Sequence, residues 1–319
     1  MSAASAGFIG AAVFVVRAAR MARWRQTHAE LRVVLAALLC LAACGRGEMG
    51  SAVAATVDDF GDSVAAGPAA RIVSLNPVAT ELLVTAGYRD RIVGRTHWDR
   101  YPAGADGIPD LGDGMAPNVE VVLGAKPDLV ILYASPANRR AADALHSAGA
   151  RTLAIRTDRI ADLRRLASAL AAVTGDTAVR GVADSATASV AAVRNLTPLD
   201  PAPRVVWHMG DPPLFVAGRG SYMGELIGVA GGVNAFDDLA APSPQVSIEE
   251  VVRRDPDLIL AGPKGAARIT QNAAWRTVRA VREGRVVVYD TAIVGHPGVR
   301  IGEAARHVRN LIAPLAARR

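Results

Sequence analysis

Residues 120–133 read EVVLGAKPDLVILY, and residues 249–262 read EEVVRRDPDLILAG. Each places a glutamate seven residues ahead of a Pro-Asp pair and then runs into an apolar stretch. Proline cannot donate a backbone hydrogen bond and ends a helix, so each phrase predicts helix, turn, strand. The apolar runs do not alternate, which fits strands covered on both faces, as in parallel sheets. The phrase recurs 129 residues later, so the chain is read as carrying two similar lobes.

The flanking sequence supports that reading. RIVSL (71–75) is a short strand and NPVATELLVTAG (76–87) a helix closed by Gly87; RIVGRT (91–96) is the next strand. A loop rich in Gly, Pro and Asp covers 97–118, VEVVLGA (119–125) is helical, and DLVILY (128–133) is a buried strand. NRRAADALHSAG and RTLAIR add one more helix and strand. Residues 159–196 contain no proline and only Gly175 and Gly181, which predicts a helix, a break and a long helix. TPLDPAPR (197–204) ends it, and a second lobe opens at RVVWHM (204–209). The expected fold class is α/β: two Rossmann-like lobes joined by a long rigid backbone helix, with a ligand cleft between the lobes. The expected boundaries are a leader at 1–44, a flexible tether at 45–69, an N-terminal lobe at 70–175, the backbone helix at 176–200 and a C-terminal lobe at 201–319.

Arg23 and Arg25 precede VVLAALLCLAAC (33–44), followed by Gly45. A basic region, a short apolar run and small residues before a cut form a secretory leader, and LAAC has the lipobox pattern in which the Cys44 thiol takes a lipid. An ordinary signal peptide with a chance cysteine is the plainer alternative. GFIGAAVFVV (7–16) lies ahead of Met21, so translation from Met1 or from Met21 stays open, as does a second anchor. Cys40 and Cys44 are the only cysteines, so the mature body has no disulfide and rests on its core. The expected location is the periplasm or the cell surface, as a membrane-anchored lipoprotein. Hydrophobic residues make up 51% and aromatics 4%, and no later run reaches spanning length. Of the net charge of +6, the leader's five arginines and one glutamate account for +4. The remaining arginines are scattered along the chain, singly or in pairs and without a basic run, which argues against a nucleic-acid partner.

RIVSLNPVATELLVTAG, Tyr101–Pro102, GMAPNVEVVLGAKPDLVI (114–131), DPPLFVAGRGSYMGELIGVAGGVNAF (211–236), PSPQVSIEEVVRRDPDLIL (242–260) and VRIGEAA (299–305) carry a resemblance. In that order, the chain from Arg71 to Ile312 resembles the helical-backbone substrate-binding proteins of ABC importers for vitamin B12, haem and ferric siderophores. The resemblance implies a monomer that captures a small-molecule ligand, needs no cofactor, and delivers it to a permease dimer with its ATPase subunits. It also implies that an exposed glutamate on each lobe docks into arginine pockets of the permease. By position these are Glu120 and Glu249, with Glu250 a competing choice; the plainer reading of each is a first-turn acid favouring its helix dipole.

By the same resemblance, the cleft is lined by Trp98, Tyr101, the loop Leu111–Met115, Tyr133, the stretch Trp207–Phe215 with His208, Ser243, and Val294–Arg300 with His296 and Arg300. The tryptophans expected before GM and before PQVS are replaced by Gly112–Asp113 and Ser243, and an acid–base pair before RI is lost, leaving Ala292 and His296. A corrinoid leads as ligand. His97, His208 and His296 raise haem as the alternative, since neutral imidazole ligates haem iron, although the tyrosine of haem-binding relatives is absent. A ferric siderophore stands third. Zinc or manganese is disfavoured, because the histidines lack supporting carboxylate spacing. GRGSYMG (218–224) is one residue too long for the dinucleotide fingerprint and reads better as a tight turn. A lipid-anchored Rossmann-type oxidoreductase is therefore only a distant alternative.

Overall fold

The computed structural model describes residues 56–67 and 69–316. The leader and Cys44 lie outside the described residues. A small antiparallel ribbon, β1 (Thr56–Val57) and β2 (Ser63–Val64), comes first. The first lobe follows as β3 (Ile72–Leu75), α1 (Pro77–Thr85), β4 (Ile92–Gly94), α2 (Val119–Gly124), β5 (Leu129–Leu132), α3 (Arg139–Ser147) and β6 (Arg151–Ala154). Its sheet is parallel throughout, in the order β4-β3-β5-β6, with Ile72 opposite Leu129. Two helices, α4 (Asp162–Thr174) and α5 (Ala178–Arg194), lead to the second lobe. There β7 (Arg204–Gly210), β8 (Phe215–Val216), α6 (Tyr222–Val229), β9 (Val233–Asn234), α7 (Ile248–Arg254) and β10 (Leu258–Ala261) are followed by α8 (Pro263–Gln271), α9 (Arg279–Arg282) and β11 (Val286–Val288). Its sheet runs β11-β10-β7-β8 with β9 beside β7, and only β8 is antiparallel. The chain closes with α10 (Thr291–Val294) and α11 (Ile301–Ala316). The two-lobed α/β architecture is the expected one.

The duplicated Pro-Asp phrase has a structural reason. In the first lobe the Asp128 carboxylate accepts from the backbone N–H groups of Ala70 (2.9 Å) and Arg71 (3.1 Å), at the start of the neighbouring strand β3. Arg71 returns the contact: its guanidinium donates to the carbonyls of Lys126 (3.0 Å) and Ala125 (2.6 Å), where α2 has just ended. In the second lobe Asp257 accepts from the Arg204 N–H (2.8 Å) at the start of β7, and Arg204 reaches the Arg254 carbonyl (3.3 Å) at the end of α7. Just before each proline the backbone turns left-handed at a residue other than glycine, Lys126 (φ 49°) and Asp255 (φ 45°). Each copy thus ties the end of a helix to the starts of two adjacent parallel strands, and the orphan carbonyls at the helix end find donors.

Between the lobes, α4 closes on Gly175, whose φ of 74° suits a left-handed cap. Helix α5 then packs against α1 of the first lobe and against α4, α6 and α11. One continuous apolar cluster joins Ile72 and Leu129 of the first sheet, Leu170 and Val190 of the two linking helices, Trp207 and Leu258 of the second sheet, and Val308 of α11. Polar ties reinforce it: the carboxylate of Glu225 on α6 holds Arg159 and accepts from the Ile160 N–H (2.7 Å), and Tyr222 N–H donates to the Asp158 carbonyl (2.6 Å). The lobes share a core as well as a linker, and this joint is stiff.

One segment differs from expectation. Residues 56–64, expected within the flexible tether, are sewn onto β6. Ala154 N–H donates to the buried Asp58 carboxylate (3.0 Å), Asp59 N–H donates to the Ala154 carbonyl (2.9 Å), and Arg165 pairs with Asp59 (2.6 Å). Three aspartates within TVDDFGDSV, Asp58, Asp59 and Asp62, were the available signal. No described helix is long and apolar enough to cross a membrane.

The two clamps differ in burial, which sets a test. Asp257 is buried and also pairs with Arg279 (3.1 Å), whereas the bonds of Asp128 to Ala70 and Arg71 are open to water. Asp257→Ala should lower the free energy of unfolding in urea by about 2–3 kcal/mol, because it leaves the Arg204 N–H without its acceptor and removes one of the carboxylates that hold Arg279. Asp128→Ala should cost about 1 kcal/mol, since water can replace the lost acceptor. Equal, small losses would show that the buried clamp does not hold the second sheet.

Candidate ligand-binding cleft

The carboxyl ends of the first-lobe strands open onto a cleft of about 710 Å³, closed on its far side by the segment that follows β11. Leu75 ends β3, and Asn76 turns the chain into α1: its side chain accepts from Val78 N–H (3.1 Å) and donates to the Ile155 carbonyl (3.3 Å). This is where open α/β sheets bind ligands. Of the residues expected there, Trp98, Tyr101, Met115, Tyr133, His296 and Arg300 line the cleft. Trp98 and Met115 are 54% and 49% exposed and offer apolar surface to the cleft. Gly114 lets the loop approach closely, since a Cβ there would meet the Leu75 carbonyl oxygen at 2.3 Å. Asp113 turns the same loop by accepting from Met115 N–H (2.9 Å). Tyr133 donates to the Asp158 carboxylate (2.6 Å); burial, then that carboxylate, hold its phenol protonated well above the ordinary range.

Glu81 lies behind the lining and holds two segments of it together. Its side chain is 3% exposed, yet both oxygens are engaged: Oε1 bonds to His296 Nε2 (2.8 Å), and Oε2 accepts from Val299 N–H (3.0 Å). Arg300 comes within 3.9 Å of the same carboxylate and lies over the Tyr101 ring at 3.8 Å. Gly298 makes this possible, because a Cβ there would sit 1.9 Å from Oε2. A glutamate of α1 is thereby latched to the segment leaving the second sheet. Nearby, Asp99 accepts from the N–H (2.7 Å) and hydroxyl (2.6 Å) of Thr96, while its Oδ1 is buried without a partner among the described residues. Burial raises the Asp99 carboxyl above the usual range.

A second cavity of about 560 Å³ adjoins the first, with Arg100 and Thr291 lining both. His208 belongs to this cavity rather than to the larger cleft; it is buried, with its ring edge-on to Trp275 (6.1 Å), and burial holds its imidazole pKa down. Phe215, on β8, lines neither cavity and instead bridges to Gln245. His97 also lines neither, and its ring packs at 4.5 Å, tilted by 53°, against Trp98. Ser243 sits outside both, its hydroxyl 3.4 Å from Met209 sulfur. The three histidines are not brought together, and no cluster of His, Cys, Asp or Glu among the described residues could hold a metal ion. Sequence reasoning missed Glu81, Asp99, Arg100 and Thr291. For Glu81 the signal was present: it is the lone charge in the apolar helix PVATELLVT.

Glu120 and Glu249 occupy matching places on the outside of the lobes. Each follows an N-cap by two residues, Asn118 before α2 and Ser247 before α7, and both are exposed. Glu250 is committed elsewhere, pairing with Arg254 (2.8 Å) and Arg253. A hydrogen bond from its own backbone N–H, then one from Ser247, holds the Glu249 carboxyl below its usual range, so it is charged at neutral pH.

Residues 72–292 match the family model described as periplasmic binding protein. A cobalamin-binding protein of Halobacterium salinarum is 30% identical over 261 residues, which cover 75% of this chain and 68% of that protein. The solved periplasmic vitamin B12-binding protein of Vibrio cholerae superposes with a TM-score of 0.66 at 25% identity, over 79% of this chain and 99% of its own. A periplasmic haem-binding protein of Pseudomonas aeruginosa has the same fold, with a TM-score of 0.65 at 22% identity over 77% and 93% of the two chains. The match runs through both lobes and both sides of the cleft, and the chain belongs to the periplasmic binding protein family, which binds solutes and does not turn them over.

Proposed function

We propose that this protein is the substrate-binding component of an ABC importer and that it captures a corrinoid between its lobes. The observation that carries the reading is the cleft itself: Trp98, Tyr101, Met115 and Tyr133 face it as apolar or aromatic walls, with few polar groups to set orientation. Such a lining suits a large, flat, mostly apolar ligand. The cobalamin-binding and vitamin B12-binding relatives support the same choice. Haem is the second reading, favoured by one feature: His296 lines the cleft with Nε2 on the Glu81 carboxylate, the kind of partner that orients metal-binding imidazoles. The domain division belongs to the proposal too, with lobes at 70–175 and 201–319 on a backbone helix at 176–200. So do the lipid anchor at Cys44 and life as a monomer outside the cytoplasmic membrane.

Spectral titration of the purified protein with cyanocobalamin, hemin and a ferric hydroxamate tests the ligand. Stoichiometric uptake of cyanocobalamin is expected, with quenching of Trp98 fluorescence. Trp98→Ala should weaken uptake by about 1–3 kcal/mol, the scale of a lost aromatic contact. Uptake of hemin alone would transfer the assignment to haem, and unchanged affinity in a folded Trp98→Ala variant would move the site away from this wall.

Delivery is tested at the exposed starts of α2 and α7. The docking role proposed for Glu120 and Glu249 rests on their matched positions, their exposure and the availability of both carboxylates. Replacing both by alanine should change stability by no more than about 0.5 kcal/mol each and leave ligand affinity intact. Uptake by the reconstituted importer should fall sharply, more than for either single variant, since an arginine cluster left unpaired at a buried contact costs roughly 2–5 kcal/mol. Normal uptake by the double variant would refute the docking role.

A further inference from the structure

The second cavity has a chemistry unlike that of the aromatic cleft. Three cationic side chains line it: Arg100 from the first lobe, and Lys264 and Arg268 from α8. Arg100 and Lys264 make no ion pair among the described residues, and Arg268 spends one nitrogen on the Asp211 carbonyl. The one carboxylate present, Asp211, already accepts from Trp275 Nε1 (3.3 Å). Positive charge therefore exceeds negative charge in a concave site, which focuses the field on an anion.

Two further features point the same way. Helix α8 starts here at Pro263, behind Gly262, and no side chain caps its first turn, so the N–H groups of Lys264 and Gly265 are offered at the positive end of a nine-residue helix. Independently, His208 is 3% exposed and lines the cavity, and its Nε2 has no hydrogen-bond partner among the described residues. An unpaired buried polar nitrogen costs free energy unless something completes it. Gly265 seats this ring at the helix start, because a Cβ there would lie 2.7 Å from His208 Nδ1.

We infer that this cavity is an oxyanion subsite, which takes a phosphate or carboxylate carried by the ligand whose apolar body fills the larger cleft. The inference deepens the proposed function and rests on it for the body of the ligand. Arg100 and Thr291 line both cavities, which sets the two side by side. In a corrinoid the oxyanion is the phosphodiester of the nucleotide loop; in haem it is a side-chain carboxylate.

The test compares ligands with and without the anion, using wild type and the Lys264→Gln/Arg268→Gln double variant. The loss of affinity for cyanocobalamin on mutation should exceed the loss for dicyanocobinamide, which lacks the phosphate, by about tenfold or more, the worth of one charge-assisted contact. Equal losses, or none, would overturn the subsite. Where wild type takes up neither corrinoid, the corrinoid reading has failed and hemin against its dimethyl ester decides the subsite by the same criterion. If none of the four binds, the functional reading itself has failed, and inorganic phosphate decides: saturable binding lost in the variant supports the subsite, and no saturable binding ends it.

Discussion

The arrangement of the cleft depends on one buried carboxylate. Glu81 leaves an apolar helix of the first lobe and finds both its partners, His296 and the Val299 N–H, on the segment that leaves the second sheet. An ionised carboxylate removed from water without partners costs several kcal/mol. Parting the lobes at this point would break both hydrogen bonds, so the latch sets where His296 and Arg300 stand in the cleft lining. Gly298 is small for the same reason.

The latch acts on a frame that is already stiff. Helix α5 touches both lobes, a single apolar cluster runs from Ile72 through Val190 to Trp207, and Glu225 holds Arg159 from across the join. A cleft built this way is formed before its ligand arrives, and less of the binding free energy goes into ordering it. The same stiffness keeps Glu120 and Glu249 at a set separation on the outside of the lobes, as the docking role proposed for them requires.

Much of the fold was legible because it rests on local rules. Pro127 and Pro256 stop helices, unbroken apolar runs give buried parallel strands, and Gly175 breaks the helical stretch where α4 ends. The role of Asp128 and Asp257 as clamps was hidden in the repeated phrase, because their partners lie 57 and 53 residues away. The cleft was legible in part. Trp98, Tyr101 and Met115 were expected there from the resemblance, and they line the cleft on the loop that follows β4. The site of His208 was not, because alternation along β7 does not say which cavity a side chain meets, and α8 came to it from far along the chain. Glu81 and Asp99 escaped for a related reason: a lone acid in a helix or loop is usually solvated, and only tertiary structure buries these two. Residues 56–64 passed as tether because strands of two residues carry almost no periodic signal.

The most direct test of a latched, preformed cleft is the distance distribution between spin labels, on cysteines introduced at the exposed positions Ser147 of the first lobe and Thr270 of the second. The account predicts a narrow distribution in the ligand-free protein, a shift of less than about 2 Å when ligand is added, and a broad distribution in Glu81→Ala. A Glu81→Ala distribution as narrow as that of wild type, or a wild type already broad without ligand, would contradict it.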